Sequence, residues 1–305
     1  MQTEPPIQRP GEESVCLCCE SSRTRFVLEK NRCPLFECLD CGHVFVSSAK
    51  ALCVSDIYSQ PYFQSEDGSG VDFLEAGPQL RSVARGRLER ISRYRDKAPG
   101  RFLEIGCAVG YLLQAARDAG WSVKGVELSH FASEYARQEL GLEVLTGSLE
   151  SVKQQLEPGF DVVAMYHVIE HLTDPIQTLR HIRSLVDAGA LLVVECPDFS
   201  SRRARRLGSS WKYCIPPEHI SYFCEGSLAK ALALSGFDIV GVETTTLTEM
   251  LGFTKKLGLA ATRKLIVRNL KYLIWVRRAY KRFRTCFKLD DVLTVYARAI
   301  PDDAD

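Results

Sequence analysis

Apolar and polar positions divide the chain into three regimes. Between residues 16 and 46 the apolar runs are short. Arg25-Phe26-Val27-Leu28 lies in an alternating stretch, Phe36-Glu37 follows, and His43-Val44-Phe45-Val46 comes last. That pattern predicts a small β ribbon. From Gln79 to Asp96, Leu80, Val83, Ala84, Leu88, Ile91 and Tyr94 recur at helical spacing with arginines between them, and Pro99-Gly100 ends the helix. Beyond Gly100, strand and helix patterns alternate. Strands are expected at Arg101–Ile105, Trp121–Val126, Phe160–Val163, Ala190–Glu195, Phe237–Thr244 and Asp291–Ala299. Helices are expected at Tyr111–Ala119, at Pro175–Val186 with Asp174 as N-cap, and at Ser227–Ser235. Such alternation predicts an α/β fold around a mostly parallel sheet.

A chain of 305 residues, 46% apolar, can bury one large core with a smaller module beside it. The net charge of +1 gives no global pull toward nucleic acid. No apolar run is long enough to cross a bilayer. Met1 to Glu13 is polar and proline-rich, unlike a secretory signal, and is expected to be a disordered lead-in. The expected location is the cytoplasm.

Six of the 12 cysteines fall within the first 41 residues. Cys16-Leu17-Cys18-Cys19 and Cys38-Leu39-Asp40-Cys41 are two C-x2-C knuckles. Each knuckle turns two thiolates toward one ion, and two knuckles complete a tetrahedral sulfur site suited to zinc. Cys16, Cys19, Cys38 and Cys41 are the expected ligands; Cys18, Cys33 and His43 compete less well. A closed site of this kind makes the zinc structural. A redox dithiol is disfavoured because no thioredoxin-like context surrounds the knuckles.

The turn Gly106-Cys107-Ala108-Val109-Gly110 joins a strand to a helix. Small residues let a ligand approach the backbone, and the helix start adds free N–H groups. Ala108 and Tyr111 break the dinucleotide fingerprint, and no Gly-Lys-Ser/Thr marks a P-loop. The next strand leads into Glu127, whose carboxylate can take both hydroxyls of a ribose. An acid without a phosphate fingerprint favours an adenosyl ligand.

Three motifs now stand together: E-x-G-x-x-x-G at Glu104–Gly110, V-x-G-V-E at Val123–Glu127, and Phe160-Asp161-Val162-Val163 followed by Glu170-His171-Leu172-Thr173-Asp174-Pro175. Over about residues 80–245 and the last strand, the chain resembles class I S-adenosylmethionine-dependent methyltransferases of the small-molecule type. The cysteine module resembles the zinc ribbons that precede many of them. The resemblance implies a Rossmann-like, doubly wound sheet of seven strands in the order 3-2-1-4-5-7-6. It places Glu104, Gly106, Cys107 and Gly110 along the methionine part of the cofactor, and Glu127 and Leu128 at the ribose and adenine edge. Ser148 and Leu149 stand where an Asp often meets the adenine amino group, and Tyr166 and His167 would face the sulfonium.

Methyl transfer needs positioning and a dry pocket, and needs a base only when the nucleophile must lose a proton. Glu170, His171 and His219 are the candidates. The "P-P-x-H-x-x-Y-F" stretch at Pro216–Phe223 covers the acceptor pocket in the family, which favours His219, with Tyr222 assisting. Loop architecture competes as the role of Glu170 and His171, and a structural role competes for His219. Tyr62 and Phe63 are read either as a lid or as packing between domains.

Residues 250–289 carry twelve lysines and arginines, no acid and interleaved apolar residues. This basic helical insertion reads as a peripheral anchor on the inner face of a membrane, as an RNA-binding face, or as a helix packed on the core. Arg202-Arg203-Ala204-Arg205-Arg206 would suit an anionic substrate. The expected organisation is a lead-in at 1–13, a zinc ribbon at 14–50, a linker and cap helix at 51–98, and a methyltransferase domain at 99–305. The expected reaction moves a methyl group to a small-molecule or lipid- or sugar-linked acceptor, at oxygen. The rival is an RNA- or protein-binding module with a methyltransferase-like core.

Overall fold

The computed structural model describes residues 14–47, 73–95, 97–245 and 290–301. The lead-in, the aromatic loop around Tyr62 and Phe63 and the basic insertion at 250–289 lie outside the described residues.

Three strands open the chain: β1 (Thr24–Lys30), β2 (Cys33–Cys38) and β3 (Val44–Val46). Helix α1 (Gly77–Ser92) follows. The alternating half then runs β4 (Arg101–Ile105), α2 (Tyr111–Asp118), β5 (Ser122–Glu127), α3 (His130–Gln138), β6 (Val144–Thr146), α4 (Leu149–Val152), β7 (Phe160–Tyr166), α5 (Pro175–Ser184) and β8 (Val186–Pro197). After it come α6 (Arg202–Leu207), β9 (Ser221–Tyr222), α7 (Glu225–Ala233), β10 (Phe237–Thr245) and β11 (Val292–Ala299).

The larger sheet runs β10-β11-β8-β7-β4-β5-β6. Counted from β4, this is the order 3-2-1-4-5-7-6 that the resemblance implied. The β4, β5, β6, β7 and β8 pairings are parallel, and β11 runs antiparallel between β8 and β10. Residues 162–165 of β7 and 191–197 of β8 are buried throughout, as expected for strands covered on both faces. Strand β8 extends beyond the expected span at both ends, Val186 pairing with Phe160 of β7 and Pro197 with Val292 of β11.

The small sheet departs from expectation. Its order is β1-β2-β3-β9, so its fourth strand comes from the stretch that carries His219. Val44 pairs with Tyr222 and Phe45 with Ser221, and Val46 N–H donates to Ile220 O at 2.9 Å. The ribbon would otherwise leave the edge of β3 open, and β9 satisfies it. Apolar packing continues across this junction. Phe36, Cys38 and Phe45 share one buried cluster with Phe223 and Leu228 and with the sheet residues Met165 and Val194.

Candidate active site

Parallel pairing brings the ends of β4, β5, β6, β7 and β8 to one edge of the sheet. Thr245 at the end of β10 and Val292 at the start of β11 pair at that edge too. The glycine turn lies there. Gly106 (φ +69°) and Gly110 (φ +87°) are in the left-handed region. A Cβ on Gly106 would sit 2.4 Å from Val168 Cγ2, and one on Gly110 would sit 2.6 Å from Leu142 Cδ1. Both positions therefore require glycine. Ala108 also takes a positive φ of 48°. Its N–H donates to Glu127 Oε2 at 2.8 Å, which offsets the strain.

Glu127 is buried, and its other oxygen accepts from Ser129 N–H at 2.8 Å. Burial raises its pKa despite these bonds. Each oxygen keeps acceptor capacity for a hydroxyl. Glu104 is also buried, and its Oε2 has no hydrogen-bond partner. Burial pushes its pKa up to about 8, against the opposing pull of Arg87. An orphaned carboxylate oxygen beside a turn that excludes side chains fits an ammonium-bearing ligand.

The remaining cofactor candidates are placed unequally. The Cys107 thiol packs into the apolar layer against Leu113 and Val144, so only its backbone is available to a ligand at the turn. Pairing of Glu127 with Thr146 brings the exposed Leu128 to the same end of the sheet as Ser148 and Leu149. Ser148 Oγ caps α4 by accepting from Ser151 N–H at 3.2 Å, and Leu149 is buried. The Tyr166 ring lies 3.8 Å beneath the Arg87 guanidinium. His167 sits at φ +58° between two carboxylates, with Nδ1 3.1 Å from Glu170 Oε1 and Nε2 3.7 Å from Glu195 Oε1.

Arg87, Glu195 and Tyr213 were missed from the sequence. Arg87 reaches from α1 to pair with Glu195, which is fully buried and also accepts from Thr294 Oγ1 at 2.8 Å. The signal was available. Arg87 lies on the stripe of α1 that buries Val83, Ala84 and Ile91, and Glu195 interrupts the apolar run of β8 from Ala190 to Pro197. Tyr213 stacks on both His167 and His219, at 6.2 and 6.3 Å between ring centroids.

Glu170, His171 and His219 come together, one ligand-capable atom from each lying within 4.8 Å of the others. His171 Nδ1 lies 2.8 Å from Glu218 O, and its ring meets that of His219 edge-on at 4.7 Å. Burial lowers the pKa of both histidines, that of His219 to about 3. Burial alone would raise Glu170, but the His167 hydrogen bond and the surrounding imidazoles hold it at about 2. At neutral pH the group is one carboxylate with two neutral imidazoles. A pKa so far below neutrality makes His219 a weak proton acceptor.

The Sγ atoms of Cys16, Cys19, Cys38 and Cys41 also lie within 4.8 Å of one another, Cys16 to Cys41 at 3.7 Å and Cys19 to Cys38 at 3.5 Å. A tetrahedral zinc with bonds of about 2.3 Å needs sulfurs about 3.8 Å apart, so the donor set fits. The competitors stand outside it. Cys18 Sγ contacts Ser227 O at 3.4 Å, Cys33 Sγ contacts Asn31 O at 3.6 Å, and buried His43 packs on Phe45 and Phe223. Among the described residues, no helix is long and apolar enough to cross a membrane.

Residues 78–242 match a family model described as a methyltransferase domain. A ubiquinone biosynthesis O-methyltransferase from Aromatoleum aromaticum is 33% identical over 178 residues, covering 54% of this chain and 76% of that protein. One from Caulobacter sp. strain K31 is 31% identical, covering 48% and 66%. Several further relatives of that description are matched over only about half their length. A crystal structure described as a SAM-dependent methyltransferase from Archaeoglobus fulgidus superposes with a TM-score of 0.52, covering 78% of this chain and 99% of that one, at 20% identity. This likeness concerns the fold. With the family match spanning more than half the sequence, the chain belongs to the class I S-adenosylmethionine-dependent methyltransferases.

Proposed function

We propose that the protein transfers a methyl group from S-adenosylmethionine to a hydroxyl oxygen of a small-molecule acceptor. The observation that carries this reading is the edge itself. The glycine turn, Glu104 and Glu127 belong to the ends of β4 and β5, while His167, Glu170 and His171 follow the end of β7, the strand paired with β4 on its other side, with the His219 ring against that of His171. The sulfonium of the cofactor supplies an already activated methyl carbon. The chain's own residues then bind, orient and exclude water. Glu127 takes the ribose hydroxyls, Glu104 meets the amino group, and Leu128 and Leu149 flank the adenine. Arg87, cationic beside Glu104, is placed to meet the cofactor's carboxylate. His167 is fixed by Glu170, and Tyr213 closes the acceptor side. Oxygen as the target is supported by the relatives named O-methyltransferases.

The acceptor side is basic. Arg202, Arg203, Arg205 and Arg206 are exposed on α6, and Arg203 reaches Asp291 at 3.4 Å, where the insertion rejoins the sheet. This supports an acceptor that bears a negative charge or is presented at an anionic membrane surface. The four-cysteine group is proposed to hold structural zinc. Methyl-labelled cofactor offered with a panel of hydroxylated small molecules, prenylated dihydroxybenzenes included, tests the reading. Alkali-stable label on a phenolic acceptor is expected. Label appearing only on nitrogen or carbon acceptors would overturn oxygen as the target.

A further inference from the structure

We propose that Glu170, His171 and His219 form a binding site for a divalent transition-metal ion, separate from the four-cysteine group. Two imidazoles and one carboxylate form a donor set that suits Mn, Fe, Co or Zn better than Mg or Ca. The three residues come from two segments. Glu170 and His171 belong to the 3₁₀ turn Ile169–His171 after β7, and His219 precedes β9.

Each donor is oriented from behind. His171 Nδ1 is tied to the Glu218 carbonyl, which sets the tautomer with the lone pair on Nε2. The Tyr213 ring stacks on the His219 ring at 6.3 Å between centroids, while the buried His219 Nδ1 has no hydrogen-bond partner. Glu170 Oε1 is held by His167 Nδ1 at 3.1 Å, while the buried Oε2 has no partner. Two buried polar atoms are thus left unsatisfied on residues whose ligand atoms converge within 4.8 Å. Buried groups of this kind normally have partners, and a cation would serve both at once. A carboxylate and two neutral imidazoles would keep a net positive charge on the ion, with coordination positions left open.

The role of the ion rests on the methyl-transfer reading. An acceptor hydroxyl would take an open coordination position. Its proton would pass to bulk water, leaving the oxygen anionic and held toward the glycine turn. The weak basicity of His219 is then no obstacle, because the histidine holds the ion instead of taking the proton.

The test uses the full-length, zinc-loaded protein titrated with Mn(II), which avoids thiolate sites, and reads bound metal by electron paramagnetic resonance. One bound ion per chain is expected in the wild type and in His181→Gln, a histidine remote from the group. His219→Gln and Glu170→Gln should weaken binding by more than the roughly 10–100-fold that loss of an outer partner costs. Retained S-adenosylhomocysteine binding shows that these variants are folded, and it also reports separately on the methyl-transfer reading. Absence of bound Mn(II) in the wild type, or equal binding in folded His219→Gln, would overturn the site.

Discussion

Glu104 shows how a single buried acid can tie ligand binding to pH. Burial holds its proton up to about pH 8, against an ordinary value of 4.5. A raised folded-state pKa contributes stability that is complete below the unfolded value and lost as pH rises through the folded one. In the empty site Glu104 therefore favours the protonated form at pH 7. The ammonium of the cofactor demands the carboxylate instead, so binding must release a proton. The affinity for S-adenosylhomocysteine is expected to rise with pH between 4.5 and about 8, by up to about tenfold per unit. Calorimetry in buffers of different ionisation enthalpy checks the release. Glu104→Gln should bind more weakly, with a flat profile. A wild-type affinity independent of pH would remove Glu104 from the ligand's surroundings.

At the scale of elements, the cap helix α1 is joined to the sheet by a buried cation. Arg87 contacts Glu195 and the Tyr166 ring, and Glu195 is completed by Thr294 on β11. Removing one partner of such a pair leaves an uncompensated charge, at a cost of about 3–5 kcal/mol. Urea unfolding of Arg87→Ala should show a loss of that order. Adding Glu195→Ala should recover part of it, and equal losses in the single and double variants would contradict the pairing. Sequence patterning located α1 because Val83, Ala84 and Ile91 repeat at helical spacing. It passed over Arg87 because a lone arginine on an apolar stripe looks like any arginine until the sheet supplies its carboxylate. The strand order followed only from the resemblance, whereas the glycine turn and Glu127 were legible, since their requirements are local. Glu195 and Tyr213 were not, since their partners are distant in sequence. The paired edge between β3 and β9 was likewise hidden, because a two-residue strand leaves no periodicity to read.

The molecule as a whole joins two sheets through the segment that carries His219. Asn31 Nδ2 donates to Pro216 O at 2.7 Å and Lys30 Nζ to Ser209 O at 2.6 Å, adding to the β3–β9 pairing. The shared core predicts that the ribbon and the larger sheet unfold as one cooperative unit. A single unfolding transition is expected for the metal-loaded protein by both tryptophan fluorescence and circular dichroism. Two separated transitions would mean that the ribbon folds independently. Stripping the cysteine site with a chelator should speed amide exchange in residues 216–224 while leaving β4 and β7 protected. Activity would fall through misplacement of the acceptor segment, with no loss of cofactor affinity.

The expectations for ligand affinity and activity rest on the glycine turn and Glu127 binding S-adenosylmethionine. Titration calorimetry with S-adenosylhomocysteine tests that assumption most directly, because it needs no knowledge of the acceptor. The wild type should bind one equivalent, and Glu127→Gln, folded by urea unfolding, should bind about 10–100-fold more weakly through loss of one charged acceptor. No binding by the wild type, or equal binding by the folded variant, would contradict the account.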